Sequence, residues 1–157
     1  MVVPTLSISP LLDEDAWPHS LHAACVADLP PKNEMDYLLD LYFKHVYPFS
    51  PMLIRKTFMR EYRQQRPTLP TIMLLNAIFS VACMYSDDPA IKKGATQHFG
   101  HAKFILDETY HMSAIETIQA LIMMSHHQIS HGAPLGRYMY AGMALRMAYV
   151  SLNVFFS

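Results

Sequence analysis

The residues of this chain with most capacity for chemistry are its nine histidines, since a neutral imidazole ligates metals and a titrating one moves protons near neutral pH. His127 and His131 fall one helical turn apart, as in the zinc-binding His-Glu-x-x-His motif. Gln128 stands where that motif carries its glutamate, so no side chain there could act as the base of a metal-assisted hydrolysis. His98 and His101 also share a helix face, but their neighbours Gln97, Gly100 and Lys103 put that face on the wet side. Both pairs are expected to be surface or capping histidines, with no bound metal or other cofactor. Asp87-Asp88 has the form of an acidic pair that holds magnesium and diphosphate, yet the next turn offers Ala90, Ile91 and Lys92 in place of a third acid. A helix cap, whose charge suits the positive helix N-terminus, accounts for the pair better. There is no glycine-rich phosphate loop and no Gly-x-Ser-x-Gly, and Cys25 and Cys83 belong to no paired metal spacing. Covalent catalysis therefore lacks a nucleophile with a matched base, and an enzyme is not expected.

Three residues stand out as structural or regulatory candidates because each interrupts an apolar helix: Asn76, Arg146 and Gly142. A buried amide or guanidinium is costly unless hydrogen-bonded or paired, so Arg146 is expected to meet an acid such as Glu116 or Asp107. Gly142 costs about 1 kcal/mol relative to alanine in a helix interior, which suggests a close helix contact there.

These residues need helices to hold them. From Lys32 to Tyr47 apolar residues recur at Met35, Leu38, Leu39, Tyr42, Phe43 and Val46, one stripe of an amphipathic helix ended by Pro48 and Pro51. Arg55 to Gln65 reads as a short polar helix with Phe58, Met59 and Tyr62 on one side. Ile72 to Ser86, with Thr71 as its cap, is apolar nearly all round, as befits a helix surrounded by others. Asp87 or Asp88 with Pro89 begins a helix to about Tyr110, and a capping box of Ser113 and Glu116 precedes another over 115–130. Gly132 and Pro134 divide this from a last helix, Leu135 to about Val150. The expected fold is all-α, a bundle of about six helices. Residues 1–28 hold several prolines without periodicity and read as a flexible N-terminal segment, leaving 29–157 as the domain.

Charged residues are 16% of the chain, below a usual level of about 25%, and methionines number 12. So apolar a composition suggests a missing partner surface or missing chain, with self-association as one expression of it. The formal charge of −1 gives none of the basic excess with which a domain neutralises phosphates on its own, so autonomous nucleic-acid binding is disfavoured. No apolar run approaches the length of a membrane span.

Four segments carry a resemblance: Leu29-Pro-Pro-Lys-Asn-Glu-Met-Asp-Tyr-Leu-Leu-Asp-Leu-Tyr-Phe43, Leu74 to Pro89, Ile115-Glu-Thr-Ile-Gln-Ala-Leu-Ile122 and Tyr140-Ala-Gly-Met-Ala-Leu-Arg-Met-Ala148. In this order they resemble the middle homology, or regulatory, region of fungal-specific transcription factors of the binuclear zinc-cluster family. The resemblance implies a nuclear regulator of transcription by RNA polymerase II whose partners are the rest of the factor, regulatory proteins and a small-molecule effector. It places zinc and DNA binding in a six-cysteine cluster that these residues do not include. A self-contained helical ligand- or protein-binding module is the alternative. Two departures from the family pattern stand out. Ile54 and Lys56 replace the histidine and proline of its Phe-Pro-x-x-His-x-Pro-Thr-Phe loop, and the sequence after Ala148 leaves the Asp-Leu-Gly-Leu-His-like continuation, as a C-terminally truncated piece of a larger domain would.

Overall fold

The computed structural model describes residues 19–64, 66–112 and 114–156, apart from the side chain of Phe155. Among the described residues eight α-helices follow one another: α1 (His19–Ala27), α2 (Lys32–His45), α3 (Arg55–Arg63), α4 (Leu69–Ala82), α5 (Pro89–Lys93), α6 (Ala95–Thr109), α7 (Ile115–Ser130) and α8 (Pro134–Phe156). A 3-10 turn, Cys83–Tyr85, extends α4, and there is no strand among the described residues. The fold is all-α, as the periodicity requires.

Helix α4 is the centre. Every residue of it except Thr71 is buried, and α2, α6 and α7 pack around it while α8 lies on the outer side of α7. Its start is set by Thr68, whose hydroxyl accepts from the Thr71 amide at 3.4 Å, and not by Thr71 as the sequence suggests. The reason is Pro70: a proline in the first helical turn lacks a donor where none is needed, so it opens the helix instead of ending the one before.

Asp88 caps α5 as expected, its carboxylate accepting from the Ala90 amide at 2.8 Å, but the helix breaks at Gly94 before resuming as α6. Ser113 of the predicted capping box lies outside the described residues, and Ala114 occupies the N-cap position of α7 without a side-chain bond. The α7–α8 turn is a Schellman close. Gly132 takes a positive φ of 69°, and the Ala133 and Gly132 amides donate to the Gln128 and Ile129 carbonyls at 2.9 and 3.1 Å.

Helix α1 falls inside the stretch whose prolines suggest a flexible segment, and it buries Cys25 against the core. Its sequence has little amphipathic signal, so only its neighbours reveal it; residues 1–18 of that stretch lie outside the described residues.

Candidate functional site

Polar groups on α4 organise the interior. Asn76 is 2% exposed; its amide nitrogen donates to the Ile72 carbonyl at 3.1 Å, which turns the amide oxygen toward α6. There it accepts from His98 Nδ1 at 3.1 Å. One turn on, the Ser80 hydroxyl donates to the Ala77 carbonyl at 2.7 Å, and the Ser80 carbonyl accepts from His127 Nδ1 of α7 at 3.3 Å. A carbonyl can only accept, so both imidazoles carry their proton on Nδ1. Phe79 meets His98 edge-on at 5.5 Å, and Phe99 stacks on His127 at 4.4 Å. Burial, then the neighbouring His101, lowers the His98 pKa to about 4. Burial also holds His127 at about 4, with His131 adding to it against the opposing Ser80 bond. Both rings are neutral pins between α4 and its neighbours.

This corrects the expectation that all four histidines face water or cap helices. His98 and His127 are buried, because the helix of 95–109 rolls its 98–102–105 face onto α4, a rotation that the flanking polar residues disguise. His131 does act near a helix end, donating Nδ1 to the His127 carbonyl at 3.0 Å. Among the described residues no group of three or more histidine, cysteine or acidic side chains is placed to hold a metal ion.

Of the other candidates, Arg146 is exposed and forms no ion pair among the described residues, where Lys32–Asp36 is the only one. The expected bond to Glu116 or Asp107 fails because α8 packs through Tyr140, Met143, Ala144 and Met147, and Arg146 lies on the other side. Gly142 makes no close helix contact either: a methyl group added there would meet nothing within 4 Å. The close approach is at Gly136, where such a methyl would come within 2.8 Å of Gln128 Oε1.

The concave surface lies elsewhere. A groove of about 470 Å³ runs between the α1–α2 turn, α3, the start of α4 and the start of α7, a volume typical of small-molecule sites. Its floor is apolar, with Met35, Leu53, Phe58, Leu74 and Leu75, and its rim carries Lys32, Thr57, Glu61, Tyr62, Thr71, Glu116 and Gln119. The wall beside α3 is the loop after Pro48. Gln119 Nε2 donates to the Met52 carbonyl at 3.0 Å, and the Tyr47 hydroxyl to the Leu53 carbonyl at 3.1 Å. Ile54 sits at the N-cap of α3 with no side-chain bond and is 74% exposed beside the groove; a polar residue there could cap the helix, and isoleucine cannot.

Most donors on the rim are spent within the wall. Lys32 Nζ and the Tyr62 hydroxyl both donate to Asp36, at 3.2 and 2.7 Å, and the Tyr62 bond, then Lys32, hold that carboxyl below its ordinary pKa. The Thr68 and Thr71 hydroxyls pair at 2.9 Å. The carboxylates of Glu61 and Glu116 have no ion pair among the described residues. The open groove is therefore an apolar trough with anionic acceptors at its edge. No residue pattern announced it, because its walls come from four separate segments and its concavity exists only in the packing.

The sequence profile of the fungal specific transcription factor domain matches residues 39–152. The chain is 29% identical over 111 residues to cutinase transcription factor 1 alpha of Fusarium vanettenii, a match covering 66% of this chain and 12% of that protein. It is 30% identical to the nitrogen assimilation transcription factor nirA of Emericella nidulans, over 76% of this chain and 15% of the relative. The acetamidase regulatory protein of Aspergillus fumigatus is also 30% identical, over 76% of this chain and 16% of its own length. The chain thus spans well under a fifth of each of these relatives. No solved structure matches it.

Proposed function

The chain belongs to the fungal specific transcription factor domain family, and from that premise we propose that it is the regulatory region of a nuclear factor controlling transcription by RNA polymerase II. The observation that carries this reading is the family match from Leu39 to Leu152, which begins midway along α2 and runs on into α8, and so takes in three of the four groove walls. DNA contact belongs to another part of the factor, since these residues offer a formal charge of −1 and no cluster of thiolates for zinc. This reading assigns the chain no catalytic role, in keeping with buried histidines that are neutral and bonded to a side chain and a carbonyl of the core, away from the groove. The groove is the place where a regulatory signal enters, as an amphipathic molecule whose apolar body fills the trough and whose cationic or donor group meets Glu61 and Glu116. The groove equally supports a self-contained binding module, and one experiment separates the two. The chain is inserted between a heterologous DNA-binding domain and an activation domain, and reporter output is compared with the direct fusion of those two. The regulatory reading expects a change of at least several-fold in output; equal output from both fusions contradicts it and leaves the module.

A further inference from the structure

Helix α3 carries a stripe of positive charge that no acid of the described residues answers. Five of the chain's 12 lysines and arginines, Arg55, Lys56, Arg60, Arg63 and Arg66, fall within 55–66 beside one acid, Glu61. All five are exposed. At about 100° per residue, Lys56, Arg60 and Arg63 share one side of the helix, while Phe58 is buried and Glu61 turns to the groove. The stripe is costly by itself, because like charges at i, i+3 and i, i+4 repel. Arg55 and Lys56 also oppose the positive end of a helix that has no acid in its first turn. None of the five has an ion pair among the described residues; Arg55 instead places its guanidinium 4.6 Å from the centre of the Phe43 ring.

We propose that this stripe is the docking surface for the acidic run Asp13-Glu14-Asp15 of the same chain. Charge and position both favour that occupant. The run is the chain's one stretch of three consecutive acids, and residues 1–18 contain no lysine or arginine. Position follows from α1. His22 Nε2 donates to the Pro67 carbonyl at 2.7 Å, which fastens α1 beside the end of α3, next to Arg66. The chain enters α1 at His19, and Asp15 is four residues further back, at most about 14 Å of extended chain. The run is thereby tethered within reach of Arg63 and Arg66, at an effective concentration that a separate anion lacks. A nucleic acid fits less well, because the chain's formal charge of −1 gives a polyanion nothing to bind beyond the stripe itself. Docking fastens α3, a wall of the groove, to the chain ahead of α1.

The test reads Trp17, the chain's single tryptophan and two residues from the run. Its fluorescence in the full chain is quenched with acrylamide, which is uncharged, at low salt and at about 0.5 M salt, where ion pairs are screened. Quenching is expected to rise at least about twofold at high salt. Asp13→Asn/Glu14→Gln/Asp15→Asn and Arg60→Gln/Arg63→Gln/Arg66→Gln should each reach the high-salt value already at low salt, with helicity by circular dichroism unchanged. The exchanged chain, Asp13→Lys/Glu14→Lys/Asp15→Lys with Arg60→Glu/Arg63→Glu/Arg66→Glu, should recover the shielding. Quenching indifferent to salt and to both neutralised variants overturns the proposal. So does shielding that grows with protein concentration, since the run then docks on another molecule. A DNA duplex that binds the wild type and not the arginine variant, leaving Trp17 quenching unchanged, also overturns it and assigns the stripe to nucleic acid. If the arginine variant loses helicity, the acid-run variant alone decides: unchanged shielding in that variant counts against the docking.

Discussion

Two neutral histidines held on α4, His98 by the Asn76 amide and His127 by the Ser80 carbonyl, govern the interior's response to acid. Asn76 was legible as an interrupted apolar face, because an amide in so apolar a helix must find partners. The partner was not, since His98 lies 22 positions on and its sequence neighbours are polar. With folded pKa values near 4 against an ordinary value near 6.5, the unfolded chain takes up protons that the folded one refuses. Stability is therefore full above about pH 6.5 and falls as pH drops toward 4, by on the order of 2–3 kcal/mol for each ring. Denaturant unfolding between pH 7 and 4 measures the slope, and Asn76→Ala, which leaves the His98 proton without its acceptor, should itself cost about 1–3 kcal/mol at pH 7. Arg146 behaves oppositely to its expectation from sequence. Exposed and without an ion partner among the described residues, it should be replaceable by alanine within about 0.5 kcal/mol. A loss of several kcal/mol in the same unfolding experiment would instead reveal a buried acid.

Among the elements, α2, α4 and α7 are legible because their periodicity is set by burial on neighbouring helices. Helix α4 reads as central from its all-round apolarity alone. Helix α8 has the same all-round apolarity and is not central: α7 covers one face and water meets the other. Composition cannot distinguish a helix surrounded by partners from one covered on a single face. That ambiguity also misled the reading of Gly142, taken for a close contact when the close contact is Gly136. The two glycines therefore separate under mutation. Gly142→Ala should stabilise by up to about 1 kcal/mol through helix propensity, read by denaturant unfolding. Gly136→Ala should gain less or lose stability, because Gln128 must move away.

At the scale of the whole molecule, the fold class and the family were legible from ordered segments spread along the chain. The groove was not, since neither its floor nor its acidic rim forms a local pattern. Its walls are joined by long-range bonds such as Gln119 to the Met52 carbonyl, 67 positions apart. The central claim is that these helices regulate transcription through that groove. Thr57, half-buried on α3 at the groove edge, can be replaced by tryptophan to fill the trough without entering the core around α4. The deciding measurement is reporter output from the chain held between a heterologous DNA-binding domain and an activation domain, wild type against Thr57→Trp, with thermal unfolding of both chains alongside. The account predicts that the wild-type chain shifts output several-fold and that Thr57→Trp returns it to the level of the direct fusion at unchanged unfolding temperature. Full regulation by a folded Thr57→Trp chain would contradict it.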